Sequence, residues 1–461
     1  MGGWPRGQPQ CAGSGHHRVT APCFEGRALV GGYPPDDAGR TIAVLVDDAM
    51  PSGTRVMASC RACGSPGVSP VLDLGLVPLA NSFIDPLDSG EAEPTFGLGI
   101  QFCPACAIVQ LVETVDPEIL FRHYLYTPSA SATWRAHCDE LADWLLSHVG
   151  GTDGLIVEPA SNDGCLLKSI LRWNANVLGV EPARNIAELA VADGIPTIAE
   201  FFTEASARAI REERGPAVAV IGTNVLAHVP DIVDFLRGAA ALIADDGFVV
   251  IEAPYLRDLV ESVAYDTIYH EHVSYLSVTA LARVLPLAGL VLTHVERTPV
   301  HGGSIRFVGQ AVGATPDASV IQFLDEEAAL GYANGQALTD FGDRVHRLRR
   351  QLAATIRSAT ASGSTIAAYG ATAKGNTLLT TCDIDPGAIR YIVDRNPLKQ
   401  GREAPGSRIP VVGPDRLDQD PVDILLVLAW NIAEEVMEQQ RSFADSGGRF
   451  LIPIPDPHFL D

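Results

Sequence analysis

The chain has 461 residues, enough for about three domains of ordinary size, and its 33 Lys and Arg stand against 56 Asp and Glu, a net charge of -23. A surface that negative repels phosphate backbones and argues against nucleic acid as a partner, while leaving room for a local basic site that takes a small phosphate. No apolar run reaches the roughly 18 residues needed to span a bilayer, and the first residues lack the apolar core of a signal peptide, so no membrane partner is expected and the protein reads as cytoplasmic.

Residues 1–56 are rich in Gly, Pro and Arg and carry no periodic apolar pattern. They are expected to form a disordered leader, with Met50 or Met57 as alternative starts. Two CxxC pairs follow, Cys60 and Cys63 in CRACG and Cys103 and Cys106 in CPAC, within a module over 57–120. Paired CxxC turns suit tetrahedral zinc because each aims two thiolates at one point. Four thiolates leave no open coordination position, so the expected role is structural. A redox CxxC or four unrelated thiols are the competing readings. Tyr124 and Tyr126 in FRHYLYTPS come next, and ordinary aromatic packing of a linker would account for them.

From 121 to 315 the pattern becomes α/β. GLIVEPASNDG (154–164) reads as an apolar strand running into a polar, Gly-ended turn, with CLLKSILRW as the following helix. NANVLGVEPA (174–183), AVAVIGTNVLAHVPD (217–231) and GFVVIEAP (247–254) read as further strands, which together predict a parallel doubly wound sheet with its ligand site at the strand carboxyl ends. The first of these ends carries Glu158, Asn162, Asp163 and Gly164 but no GxGxxG. The second ends in Glu181, an acid suited to a ribose diol, which both NAD and S-adenosylmethionine carry. The third offers Asn224 and His228, which fit methyl or proton transfer better than phosphate binding.

YDTIYHEHVSYLS (265–277) concentrates Tyr269, His270, Glu271, His272 and Tyr275 in seven positions. As an extended strand it would point Tyr269, Glu271 and Val273 one way and His270, His272 and Ser274 the other. HEH lacks the HExxH spacing of a helical zinc site, and a buried hydrogen-bonded cluster is the other reading. A charged helical region over 325–359 precedes a second α/β unit in 316–461. There STIAAYGATAKGNTLL (364–379) reads as strand, turn and helix, with Tyr369, Lys374 and Asn376, and AIRYIVDRNP (388–397) as a strand ending in Asp394. The helix amino terminus near Lys374 and Gly375 suits a diphosphate held without hydrolysis, since the P-loop pattern is missing. A capped helix with a solvated lysine is the alternative.

Taken in order, the cysteine pairs, PLANSF (78–83), SNDG (161–164), NVLAHVPD (224–231), DTIYHEHVSYLS (266–277), HGGSIR (301–306), GATAKGNTLL (370–379), VDRNPLKQG (393–401) and LAWN (428–431) resemble the sugar C-methyltransferases. These enzymes use S-adenosylmethionine to methylate nucleotide-linked keto-deoxysugars. The resemblance, which covers residues 60–461, implies a zinc-binding module, a central Rossmann-like methyltransferase domain and a C-terminal Rossmann-like domain that helps hold the sugar nucleotide. It implies S-adenosylmethionine and Zn2+ as cofactors, a nucleotide-linked ketosugar, dTDP-linked in the best-known members, as substrate, and a monomer. By the same carry-over His272 is the base, Tyr269, Glu271 and His228 line its pocket, Tyr124 and Tyr126 form a lid, and His301, Tyr369, Lys374, Asn376 and Asp394 meet the substrate. Glu158, Asn162, Asp163, Gly164, Glu181 and Asn224 fall to the cofactor. The chain departs from the family pattern in EPASNDG, where Ala160 replaces a glycine and Pro159 is added, and in GATAKGN for GAPAKGN. The competing functions are a noncatalytic sugar-nucleotide binding protein of this fold and an NAD-dependent oxidoreductase, which the missing glycine fingerprint disfavours.

Overall fold

The computed structural model describes residues 54–88, 90, 92–121, 129, 132–149, 151 and 153–460, the side chains of Ala132 and His301 excepted, together with the backbone of two strands nearer the start. Residues 1–50 and 51–461 are separate compact units. In the first, Arg27–Gly32 pairs with Ala43–Asp47 as an antiparallel ribbon where no regular structure was expected. The β-branched run in TIAVLVD explains the strand, although two strands alone are only marginally stable in water.

The second unit begins with a four-stranded antiparallel sheet in the order Ser274–Tyr275, Val109–Leu111, Phe96–Phe102, Ser69–Val77. A separate ladder pairs Thr54–Val56 with Glu113–Val115, and the Met57 amide continues it to the Val112 carbonyl. The module therefore starts before residue 57, which corrects the boundary expected from sequence. A chain shortened to begin at Met57 is accordingly expected to lose about 1–3 kcal/mol, the net worth of a few backbone hydrogen bonds. It should melt a few degrees below one beginning at Met50, and equal melting temperatures would show that this strand contributes nothing.

The central sheet has seven strands in the order Thr197–Ile198, Asn176–Val180, Leu155–Pro159, Ala217–Thr223, Ile243–Pro254, Ser304–Ala311, Leu290–Thr298. The first five are parallel, and Ser304–Ala311 pairs antiparallel with both of its neighbours. Leu155–Pro159 is buried along its whole length, as expected of a strand covered by helices on both faces. Strand order reverses between Leu155–Pro159 and Ala217–Thr223, which opens a crevice at their carboxyl ends.

The predicted helical region is two helices, Ala318–Leu330 and Phe341–Ala361, interrupted at Gly331 and Gly335, both of which have positive φ. Phe341, Val345, Leu348, Leu352 and Ile356 form the buried stripe of the second. The C-terminal sheet runs Val411–Val412, Ile389–Val393, Ile366–Tyr369, Ile424–Val427, Arg449–Ile452, His458–Leu460, parallel except for its last strand.

The modules do not have separate cores. One apolar cluster joins Leu72, Ile100 and Leu111 of the first sheet to Tyr265 and Ile268 and then to Leu378, Ile392 and Leu426 of the C-terminal domain. A second packs Cys60, Cys103 and Cys106 against Leu155, Val180 and Val225 of the central domain. Among the described residues no helix is long and apolar enough to cross a membrane.

Candidate active site

All three modules line one cleft of about 1210 Å³, at the carboxyl ends of the central parallel strands. Such a volume exceeds the roughly 300–1,000 Å³ usual for one small ligand and leaves room for two.

One end of the cleft is acidic. Glu158 closes the first strand almost fully buried, and burial, reinforced by Cys165, Glu181 and Asp163, raises its pKa well above the usual carboxylate range. Its Oε2 has no hydrogen-bond partner, nor have Asp163 Oδ1 and Ser161 Oγ. Glu181 accepts from the amides of Asn162 and Ala183, both at 2.8 Å, and so fixes the SNDG turn across from its own strand. Gly164 does not line the cleft: with φ 75° it starts helix Cys165–Leu171, where a Cβ would lie 2.3 Å from Ile195 Cδ1. Asn224 does line it, with its amide bonded to the Glu252 carbonyl at 2.7 Å.

Ala160 has φ 54°, the left-handed conformation that favours glycine. This accounts physically for the glycine of the resembling sequences, because the Cβ clash costs roughly 1–2 kcal/mol. The freedom glycine gains in the unfolded chain offsets part of that. Ala160→Gly is therefore expected to raise stability by up to about 1 kcal/mol, and a fall in melting temperature would show that the Ala160 methyl packs productively.

The histidine-rich segment is a turn rather than a strand, with the His272 amide bonded to the Tyr269 carbonyl at 2.9 Å. A four-residue turn brings its first and last side chains together, which overturns the alternating arrangement. Tyr269 and His272 face the cleft together, while His270 points away, its Nε2 at 3.2 Å from the Gly97 carbonyl and its ring edge-on to Phe96. His272 Nδ1 lies 2.7 Å from the Thr267 carbonyl, which can only accept, so Nδ1 carries the proton and Nε2 the lone pair. The Tyr269 hydroxyl donates to Nε2 at 2.9 Å. His228 stands edge-on to His272, with ring centroids 4.7 Å apart. Glu271 also lines the cleft and accepts from Asn81 of PLANSF at 2.6 Å.

His228 is partly exposed at the cleft surface yet deeply surrounded by protein, and burial pushes its pKa, like that of His270, down to about 4. In an unfolded chain an imidazole titrates near 6.5, so between about pH 6.5 and 4 the unfolded state binds protons that the folded state refuses. Stability is expected to fall as pH drops through that window. His270→Gln should flatten the dependence of unfolding free energy on pH, and an unchanged slope would count against it.

The third wall belongs to the C-terminal domain. Lys374 lines the cleft with its ammonium 5.4 Å from the Trp430 ring centre, and Lys399 lies over Phe83 at 5.3 Å while donating to the Ala371 carbonyl at 2.8 Å. Burial lowers the pKa of both lysines, opposed by Asp266 at Lys374 and by Asp394 at Lys399. The other expected substrate residues are elsewhere. Asp394 accepts from the amides of Ala371 and Asn396, each at 2.8 Å, and shapes the loop before Lys374. Asn376 donates to the Ala80 carbonyl at 2.8 Å while its Oδ1 is buried without a partner, and Tyr369 donates to Gln439 at 3.1 Å, so both link elements outside the cleft. The three lie outside the cleft lining because strand and helix geometry turns them behind the loop they support. Val300, Gly302 and Gly303 line the cleft beside His301, whose side chain is outside the described residues, as are Tyr124 and Tyr126.

Sequence reading missed Asn81, Lys399, Trp430 and His137, which line the cleft, the last bonded to buried Glu252 at 2.7 Å. Asn81, Lys399 and Trp430 lie inside quoted motifs; His137 has no sequence signal beyond its helix.

The four cysteine sulfurs of the first module all lie within 4.8 Å of one another, with Cys60–Cys106 at 3.5 Å and Cys63–Cys103 at 3.6 Å. Four thiolates about 2.3 Å from a tetrahedral zinc sit about 3.8 Å apart, so the donor set fits the metal.

Family models match nearly the whole body: "Putative zinc binding domain" over residues 60–121, "Methyltransferase domain" over 135–295 and "C-methyltransferase C-terminal domain" over 299–455. The C-methyltransferase NovU of Streptomyces niveus is 37% identical over 409 residues, 88% of this chain and 97% of NovU. The chain belongs to the C-methyltransferase family. As a member it is an S-adenosylmethionine-dependent C-methyltransferase with zinc as its second cofactor. The unpartnered carboxylate oxygens at the acidic end of the cleft fit a methyl donor that carries an ammonium and a sulfonium. Solved structures similar to the chain include the magnesium protoporphyrin IX methyltransferase ChlM of Synechocystis PCC 6803 with bound SAM, 14% identical over 38% of this chain and 79% of that one, TM-score 0.29. Another is the CcbJ methyltransferase of Streptomyces caelestis, 13% identical over 38% and 89%, TM-score 0.30.

Proposed function

We propose that the protein methylates a carbon next to the ketone of a nucleotide-linked 4-keto-deoxysugar, at carbon 3 of a dTDP-4-keto-6-deoxyhexose, in the making of a natural-product or surface sugar. The observation that carries the reading is the Thr267–His272–Tyr269 chain, which fixes Nδ1–H on the Thr267 carbonyl and aims Nε2, the site of the lone pair in the neutral ring, into a cleft shared by all three modules. A carbon beside a ketone is a weak acid. Its methylation needs a base for the proton and donors for the charge that develops on oxygen.

In this reading His272 Nε2 takes the proton, and the Tyr269 hydroxyl turns from Nε2 to the ketone oxygen. Glu271, oriented by Asn81, and neutral His228 bind the sugar. Lys374 and Lys399, from the C-terminal domain, hold the diphosphate. Glu158, Asn162, Asp163, Glu181 and Asn224 hold S-adenosylmethionine, which supplies the electrophilic methyl group. The cluster of acidic groups near the SNDG turn offers no positive charge to a pyrophosphate, which supports a sulfonium cofactor over NAD. A monomer in the cytoplasm is the proposed state; the described cysteines form no disulfide, which fits a reducing compartment.

Incubating the protein with methyl-labelled S-adenosylmethionine and a panel of nucleotide ketosugars tests the function. Label is expected to enter dTDP-4-keto-6-deoxyhexoses. No transfer to any nucleotide ketosugar of the panel would overturn the sugar assignment.

A further inference from the structure

We propose that Asp266 is a positioning residue through which the C-terminal domain sets the orientation of His272, an inference that rests on His272 being the base. Asp266 is fully buried between two modules. Its Oδ2 accepts from the indole N–H of Trp430 at 2.7 Å, and its Oδ1 has no hydrogen-bond partner. Trp430 belongs to LAWN, lines the cleft and lies against Lys374.

Asp266 is the middle residue of a one-turn 3-10 helix, Tyr265–Thr267. That turn is the mount of the histidine. The peptide joining Thr267 to Ile268 is held from both ends: its N–H donates to the Tyr265 carbonyl at 2.9 Å, and its carbonyl accepts the His272 Nδ1 proton at 2.7 Å. The orientation of this one peptide therefore fixes both the tautomer and the aim of Nε2. Two anchors in the C-terminal domain hold the turn. Tyr265 contacts Cys382 Sγ at 3.1 Å through its hydroxyl, and Asp266 takes Trp430.

A buried carboxylate is costly unless its charge is used. An apolar residue would fill the same space between the modules at less expense. Here the charge faces Trp430 and Lys374, the side chains that form the C-terminal wall of the cleft. A ligand that moves either of them loads the turn and, through Thr267, the imidazole. The C-terminal domain thus contributes to the chemical step as well as to substrate binding.

Two variants separate the hydrogen bond from the charge. Trp430→Phe keeps a ring beside Lys374 and removes the N–H; Asp266→Asn keeps the acceptor and removes the charge. Displacement of a reacting group by about 1 Å costs on the order of a hundredfold. Both variants are therefore expected to lower kcat roughly 10- to 100-fold with dTDP-4-keto-6-deoxyglucose as the probe, with the KM for S-adenosylmethionine within about twofold of wild type. A kcat within about twofold of wild type in both variants overturns the proposal.

The second readout needs no substrate. In protein labelled with 15N-histidine, the His272 signals, found by their loss in His272→Asn, are expected to show the Nδ1–H form in wild type and to shift in Trp430→Phe. Unmoved His272 signals in folded Trp430→Phe overturn the proposal as well. Because this arm reads the imidazole directly, it stands even if the wild type proves to act on a different sugar.

Discussion

Replacing His272 with Asn is expected to reduce methyl transfer by at least a hundredfold and by as much as ten-thousandfold, the usual worth of a general base. The isosteric amide can still donate to the Thr267 carbonyl, so the turn should persist, but it offers no basic lone pair where Nε2 faces the cleft. S-adenosylmethionine binding should be nearly unchanged, because the acidic end of the cleft is built by other strands. In heavy water, without a methyl donor, the wild-type enzyme is expected to exchange the proton beside the ketone of the sugar nucleotide, and the variant is expected not to. Glu181→Gln should show the reverse, weakened cofactor binding with exchange intact, since its carboxylate organises the SNDG turn. Methylation by His272→Asn within about tenfold of wild type would remove His272 from the role.

Removing zinc should cost more in stability than any other single change. Structural tetrathiolate sites are worth about 10–16 kcal/mol of folding free energy in small peptides. Here Cys60, Cys103 and Cys106 are buried in the same apolar cluster as the central sheet, so loss of the metal would loosen the first module and, with it, the apolar packing against the methyltransferase domain. Chelation, or Cys103→Ser, is expected to lower the melting temperature by ten degrees or more. The remaining activity should track the folded fraction, because no coordination position is open to substrate. One zinc per chain should be found by elemental analysis, and freshly purified, unchelated protein without zinc would end the assignment.

What could be read in one dimension was what depends on short-range pattern. The CxxC pairs pointed to the metal centre because two turns carry all of its donors, and the strand ends pointed to Glu158, Asp163, Glu181 and Asn224, which line the cleft, because a parallel sheet opens its crevice there. Lys374 followed from a helix start for the same reason. Asn376, Asp394 and Tyr369 sit in equally conspicuous motifs, yet their side chains bond to Ala80, to the loop amides and to Gln439 and lie outside the cleft lining. Their partners come from across the fold or from the loop itself, and nothing in the local pattern says which way each side chain turns.

The sequence by itself determined the class of the fold, the order of its modules, the metal ligands and the collection of proton-transferring groups in YHEH. Those properties rest on spacing along the chain. Tertiary structure alone decided which of the two histidines faces the cleft, because that depends on a turn whose shape is set by contacts with Thr267, Gly97 and the sheet of the zinc module. It also decided that Asn81, Lys399 and Trp430, which are far apart in sequence, meet at one site. Their meeting is enforced by an apolar core shared among the modules, and a long-range contact of that kind leaves no periodic trace in the residues that make it.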